Sequence, residues 1–238
     1  HVEVVHLLLS KSDIDINKGK KDGATALFMA SQKGHVEVVH LLLSKSEIDI
    51  NKARDTGATA LFIASQTNRV EVVELLLSKS DIDSNKATKD GFTALLVASQ
   101  LGHVEIVRLL LLKGDIDINK ARYDGSTALF MASQKGHVEV VRLLLLKGDI
   151  DINKARYDGS TALIIASNNG GVEVVRLLLS KSDIDINKTQ KDGATALYAA
   201  SALGHVEVVH LLLSKSDIDI NKVKKDGATA LFMASQKG

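Results

Sequence analysis

The chain has 238 residues, 45% of them hydrophobic, with 30 Lys and Arg against 29 Asp and Glu, so it can bury a core but has no bulk attraction to nucleic acid or an anionic membrane. Cysteine is absent, which excludes a disulfide framework, a thiol nucleophile and a cysteine-based zinc site. No apolar run approaches the roughly 18 residues of a membrane span, and a chain with no proline and only 3% aromatics suits a stack of small, similar layers better than one ring-anchored core.

The chain opens on His1-Val2-Glu3-Val4-Val5, with no initiator Met and no signal-peptide pattern, so His1 reads as an excision point or a processed end. Further along, Gly23, Gly57, Gly91, Gly125, Gly159, Gly193 and Gly227 recur every 34 residues, and so does a Thr two places later, from Thr25 to Thr229. Repetition at this period signals a solenoid.

One unit runs from Asp22 to Asp55. Thr25 is an N-cap, its hydroxyl placed to accept from the first turn. The pattern predicts a short helix over Ala26–Lys33, with Leu27, Ala30 and Ser31 on a narrow packing face. Gly34 ends it as a left-handed residue; in the next unit Asn68 takes that place, the best non-glycine occupant. A second helix is predicted over about Val36–Ser44. Only Glu37, His40 and Ser44 are polar in it, so one thin stripe sees water and both flanks are buried. A helix that short and apolar needs a layer above and a layer below. Ile48-Asp49-Ile50-Asn51 then alternates and predicts an extended, hairpin-like connector up to Gly57.

Helix, turn, helix and β-type loop, with the words D-G-x-T-x-L, G-H-x-E-V-V and L-L-L-x-K, resemble the ankyrin repeat over the whole chain. The chain departs from that family where Thr25-Ala26-Leu27-Phe28 stands for the usual Thr-Pro-Leu-His. Ala is the best helix former, so the fold should survive, and an apolar ladder (Phe28, Phe62, Leu96, Phe130, Ile164, Tyr198, Phe232) should pack where the family has His. The period of 34 implies one residue more than the family's usual unit, most simply in the hairpin. The expected fold is all-α: an elongated ankyrin-type helix-turn-helix solenoid with β-hairpin-like connecting loops. It forms a single domain over 1–238, with partial units at 1–21 and 226–238 and repeats at 22–55, 56–89, 90–123, 124–157, 158–191 and 192–225. The resemblance implies an intracellular, non-enzymatic protein-binding scaffold.

Candidate chemistry is thin. Asp13-x-Asp15-x-Asn17 resembles the start of an EF-hand loop, but positions 6 and 12 are Lys18 and Ala24 instead of Gly and Glu. His35 and His40 lie five apart, about 140° around a helix, and do not share a metal easily. Arg69 and Gly171 replace the first of them elsewhere. No acid–base pair or Ser/His/Asp set is singular to one place, as catalysis requires. Lys18, Lys52, Lys86 and their equivalents alternate with Asp and read as a solvated face. No cofactor, metal, nucleic acid, membrane or small-molecule substrate is expected. The expected partner is another protein or a further copy of this chain.

Differences between the repeats mark where a partner would bind. They concentrate at the hairpin tips and on the first helix, which in ankyrin-like proteins line the binding face. Phe92, Leu101, Arg122, Tyr123, Met131, Arg156, Tyr157 and Ile165 are the expected contacts. Tyr and Arg dominate interface energies.

The chain begins at a second helix, and Gly238 would close a first one. SQKG at its end and HVEVV at its start occur joined at Ser31–Val39 and Ser133–Val141, and the length is a whole number of periods. The terminal halves are as apolar as the interior, and an open face of roughly 400 Å² is worth on the order of 10 kcal/mol if covered. Either the chain is an excerpt of a longer array, or copies stack head to tail into a filament. The stacking residues would be Val2, Val5, Leu8 and Leu9 at one end and Leu231, Phe232 and Ala234 at the other.

Overall fold

The structure is a computed structural model that describes residues 1–237; the expected helix-closing role of Gly238 lies outside them. Fourteen helices and no strand occur among the described residues. The first helix of each repeat is α2 (Ala26–Lys33), α4 (Ala60–Gln66), α6 (Ala94–Leu101), α8 (Ala128–Lys135), α10 (Ala162–Asn168), α12 (Ala196–Ala202) or α14 (Ala230–Lys237). The second is α1 (Val2–Leu9), α3 (Val36–Leu43), α5 (Val70–Leu77), α7 (Val104–Leu112), α9 (Val138–Leu145), α11 (Val172–Leu179) or α13 (Val206–Leu213).

The chain divides into two compact units after Lys120. In the first, α2, α4 and α6 pack in one row, and α1, α3, α5 and α7 in another. In the second, α8, α10, α12 and α14 form one row, and α9, α11 and α13 the other. Each is a two-layer, all-α helical solenoid.

The first helices form where the caps dictate. Thr25 Oγ1 accepts the Phe28 N–H at 3.2 Å, and each equivalent Thr does the same for its repeat. Asn68, at φ 57°, is the one described non-glycine residue in the left-handed region, as its place at the end of α4 predicts. The first helices lie largely inside: in α4 all six residues from Ala60 to Ser65 are buried. The second helices differ: α9 buries Val140, Val141, Leu143, Leu144 and Leu145, whereas α3 is wetter than its sequence implies. In α3 only Val39, Leu42 and Leu43 are buried, while Val36, Val38 and Leu41 are half-exposed.

The connector corrects one expectation. Ile48–Asn51 is a turn, not an extended segment: Lys52 N–H bonds Asp49 O at 3.2 Å, and Asp49 Oδ1 takes the Asn51 N–H at 3.1 Å. The short carboxylate offers the chain a local acceptor that competes with an extended backbone, and Ile50 turns into the core. The tip that follows is hairpin-like, with Arg54 N–H on Ala58 O at 2.9 Å and Gly57 N–H on Arg54 O at 2.8 Å. Each tip also bonds its neighbour within a unit, as Lys89 N–H does Thr56 O at 2.8 Å. That approach explains the glycine ladder. A Cβ on Gly57 would sit 2.9 Å from the Thr88 Cα, at φ 82°.

Candidate interaction surface

The D-x-D-x-N words are the links between repeats. Asn17 donates its amide to Glu47 O at 2.6 Å and accepts the Asp49 N–H at 2.8 Å. Asn51, Asn85, Asn153 and Asn187 repeat this two-point grip on the next unit. Asp15 meanwhile accepts the Asn17 N–H at 3.1 Å, so Asp15 and Asn17 of the word that resembles a cation loop are engaged in the turn and its link to the next repeat. The residue before the second helix is a further link: Arg69 Nε donates to Gln32 O at 3.2 Å, and a His205 ring nitrogen lies 2.9 Å from Asn168 O. Lys86, expected on a solvated face, donates to Asn51 O at 3.0 Å.

A cation at the tip covers the ring of the preceding repeat. Arg54 lies over Phe28, Arg156 over Phe130 and Lys224 over Tyr198, each 5.1 to 5.2 Å from the ring centre. Each also meets a tip carboxylate: Arg54 to Asp22 at 2.6 Å, Arg156 to Asp124 and Asp158 at 3.8 Å, Lys224 to Asp192 at 3.0 Å. Asp22, Asp124 and Asp192 titrate low. Asp22 is lowered chiefly by the Ala24 N–H it accepts, then by Arg54. Asp192 is lowered by the Ala194 N–H and by Lys224, whose own pKa is raised by that bond. Burial pushes Asp124 up, but the Ser126 N–H and hydroxyl, with Arg122 and Arg156, outweigh it and leave it low.

The expected contact residues therefore separate. In the first unit Leu101 is exposed, but Phe92 is half-buried and packs on the cluster of Phe28, Phe62, Ile63 and Val97. Position 88 is Thr where the tips at 54, 122 and 156 carry Arg. In the second unit Met131 is only 3% exposed and serves packing. Arg156 is engaged within the fold, Arg122 lies 3.6 Å from Asp124, and Ile165 is half-buried. Tyr123 and Tyr157 stand out at 65% and 68% exposed, on adjacent tips joined by Tyr157 N–H on Asp124 O at 3.0 Å.

At the terminal helices, Leu8, Leu231, Phe232 and Ala234 are exposed, whereas Val2, Val5 and Leu9 are half-buried. Val4 and Leu7, absent from the expected set, are more open than Val2 and Val5. Among the described residues no group of three or more His, Cys, Asp and Glu is placed to hold a metal, and no helix is long and apolar enough to cross a membrane.

The model of the family described as ankyrin repeats (3 copies) matches in overlapping stretches, 1–87, 49–122, 80–156, 111–190, 145–224 and 183–238. Solved structures are similar. The ankyrin repeat domain of Bcl-3, described as a unique member of the IkappaB protein family, is 29% identical with a TM-score of 0.79, over 90% of this chain and 95% of that one. An ankyrin repeat domain from Acinetobacter baumannii AYE is 32% identical with a TM-score of 0.73, over 79% and 96%. The ankyrin repeat protein EF0377 is 28% identical with a TM-score of 0.76, over 83% and 100%. No curated protein matches the chain. With the family model spanning every repeat and the tip, cap and turn geometry in place, the chain belongs to the ankyrin repeat family.

Proposed function

We propose that this chain is a non-enzymatic protein-binding scaffold whose contact residues are carried on the tips of its second unit. Ankyrin repeats are in general protein–protein interaction modules. The observation that carries the finer reading is the exposed pair Tyr123 and Tyr157, large amphipathic side chains on adjacent, hydrogen-bonded tips. Such side chains bring much contact area at low entropy cost. The test is a partner isolated on the immobilised chain and then titrated against Tyr123→Ala/Tyr157→Ala. Loss of two anchors should weaken binding about tenfold or more, with an unchanged melting curve. Equal affinity would remove the tips from the interface.

A second reading is end-to-end stacking of copies. It is supported by Leu231 and Phe232, exposed although their equivalents Leu27 and Phe28 are buried in an identical helix. The next repeat of an array, or a second copy, would cover the same face. Light scattering over a hundredfold or so in concentration separates the two readings. A mass that climbs without fixed stoichiometry supports stacking, and a steady 25.5 kDa excludes it for this chain.

A further inference from the structure

Residues 123, 157, 191 and 225 hold the same place on successive tips of the second unit, and read Tyr, Tyr, Lys, Lys. All four are exposed. Their spacing is set by backbone, not by flexible side chains: Tyr157 N–H bonds Asp124 O at 3.0 Å, and Lys191 and Lys225 N–H bond Asp158 O and Asp192 O at 2.8 Å. One step of such a stack is about 10 Å, the distance between packed helices.

The neighbouring carboxylates are already engaged by Arg122, Arg156 and Lys224. Among the described residues neither Lys191 nor Lys225 takes part in an ion pair. The strip is thus aromatic over its first half and carries two exposed lysines outside any ion pair over its second.

We propose that this strip binds an extended acidic peptide in the polyproline II conformation, with the pattern Pro-x-x-Pro-x-x-Glu-x-x-Glu in either direction. The proposal rests on the tips being the interaction surface and names the chemistry they select. A polyproline II chain rises about 3.1 Å per residue with three residues per turn. Every third side chain therefore returns to one face after about 9 Å, close to one step of the tips. A β-strand does not fit, because residues three apart point to opposite faces. An α-helix returns to one face at about 10.5 Å with residues seven apart, but helix recognition relies on a hydrophobic groove, and single residues protruding from successive tips make a ridge. Flat prolines suit the tyrosine faces, as in other aromatic recognition of such chains, and glutamates suit the free lysines. Ten residues span about 28 Å, close to the three steps from Tyr123 to Lys225.

The probe is a fluorescein-labelled peptide of this pattern, followed by anisotropy against the full chain at low salt. Two controls carry the same composition with the key residues two apart and seven apart. Saturable binding is expected for the period-three peptide alone. It should weaken about tenfold or more in Tyr157→Ala, persist in Tyr157→Phe, and lose its salt dependence in Lys191→Ala/Lys225→Ala. No saturable binding, or equal binding of either control, overturns the proposal. If the peptide fails while an isolated partner still depends on both tyrosines, the tips are the surface and only the peptide chemistry is wrong. If the peptide binds but the partner ignores the tyrosines, the scaffold reading of the tips falls instead.

Discussion

At the scale of single residues, the tips are where charge enters the stability of the fold. Asp22, Asp124 and Asp192 each accept a backbone N–H two residues on and lie beside a cation from the same or the next tip. All three titrate below their ordinary value. A carboxyl with a lower pKa in the folded than in the unfolded chain stabilises the fold when ionised. That contribution is complete above the unfolded value of about 3.9 and is lost as pH falls through the lower, folded value. Stability should therefore decline below about pH 4. Asp124→Asn/Asp192→Asn should be less stable than the parent at neutral pH and decline less steeply in acid. Urea midpoints across that range decide it, and an acid slope equal to the parent's would mean these carboxylates do not carry the effect. The chemistry of these positions was hidden in the sequence for a physical reason. Arg156 looked like a free hot-spot residue because its ring, Phe130, lies 26 positions earlier in the chain. The same offset pairs Phe28 with Arg54 and Tyr198 with Lys224, so comparing positions at that offset between repeats was the available signal.

At the scale of elements, local physics was legible and pairing between repeats was not. Thr25 as cap, Ala26–Lys33 as helix and Asn68 in the left-handed region all follow from interactions within a few residues, and so the sequence spells them. The Ile48–Asn51 turn misled because alternation of apolar and polar residues is shared by a strand and by a loop whose isoleucines face inward. What decides between them is Asn17 gripping Glu47 O and Asp49 N–H from 30 and 32 residues away. This ladder gives each loop a fixed register on the next. The tips rely on it: the close approach over Gly57 and the cations over Phe28, Phe130 and Tyr198 require neighbouring loops in one alignment. The exposed tyrosine pair was legible because variation between repeats is itself local. Met131 was not, because the same variation also occurs where a side chain faces inward.

At the scale of the whole molecule, a repeat stack derives its stability from neighbours more than from any segment's own sequence. This chain contains its own control. Helices α1 and α3 have identical sequences, VEVVHLLL, yet α3 buries Val39, Leu42 and Leu43 while α1 buries no residue. Helix propensity and composition are equal, so any difference in local stability is due to the layers on either side. Isolated helices of this length are marginal in water, and α1 packs on α3 from one side only among the described elements. In dilute solution, hydrogen exchange read by mass spectrometry should show α1 amides exchanging about tenfold or more faster than those of α3. Equal protection in dilute solution would show that the open face of α1 contributes little to local stability. Protection of α1 that rises with concentration, together with that of α14, would instead identify a second copy as the layer covering both faces. The same experiment thus measures what one neighbour contributes to a repeat and tests whether another molecule supplies it.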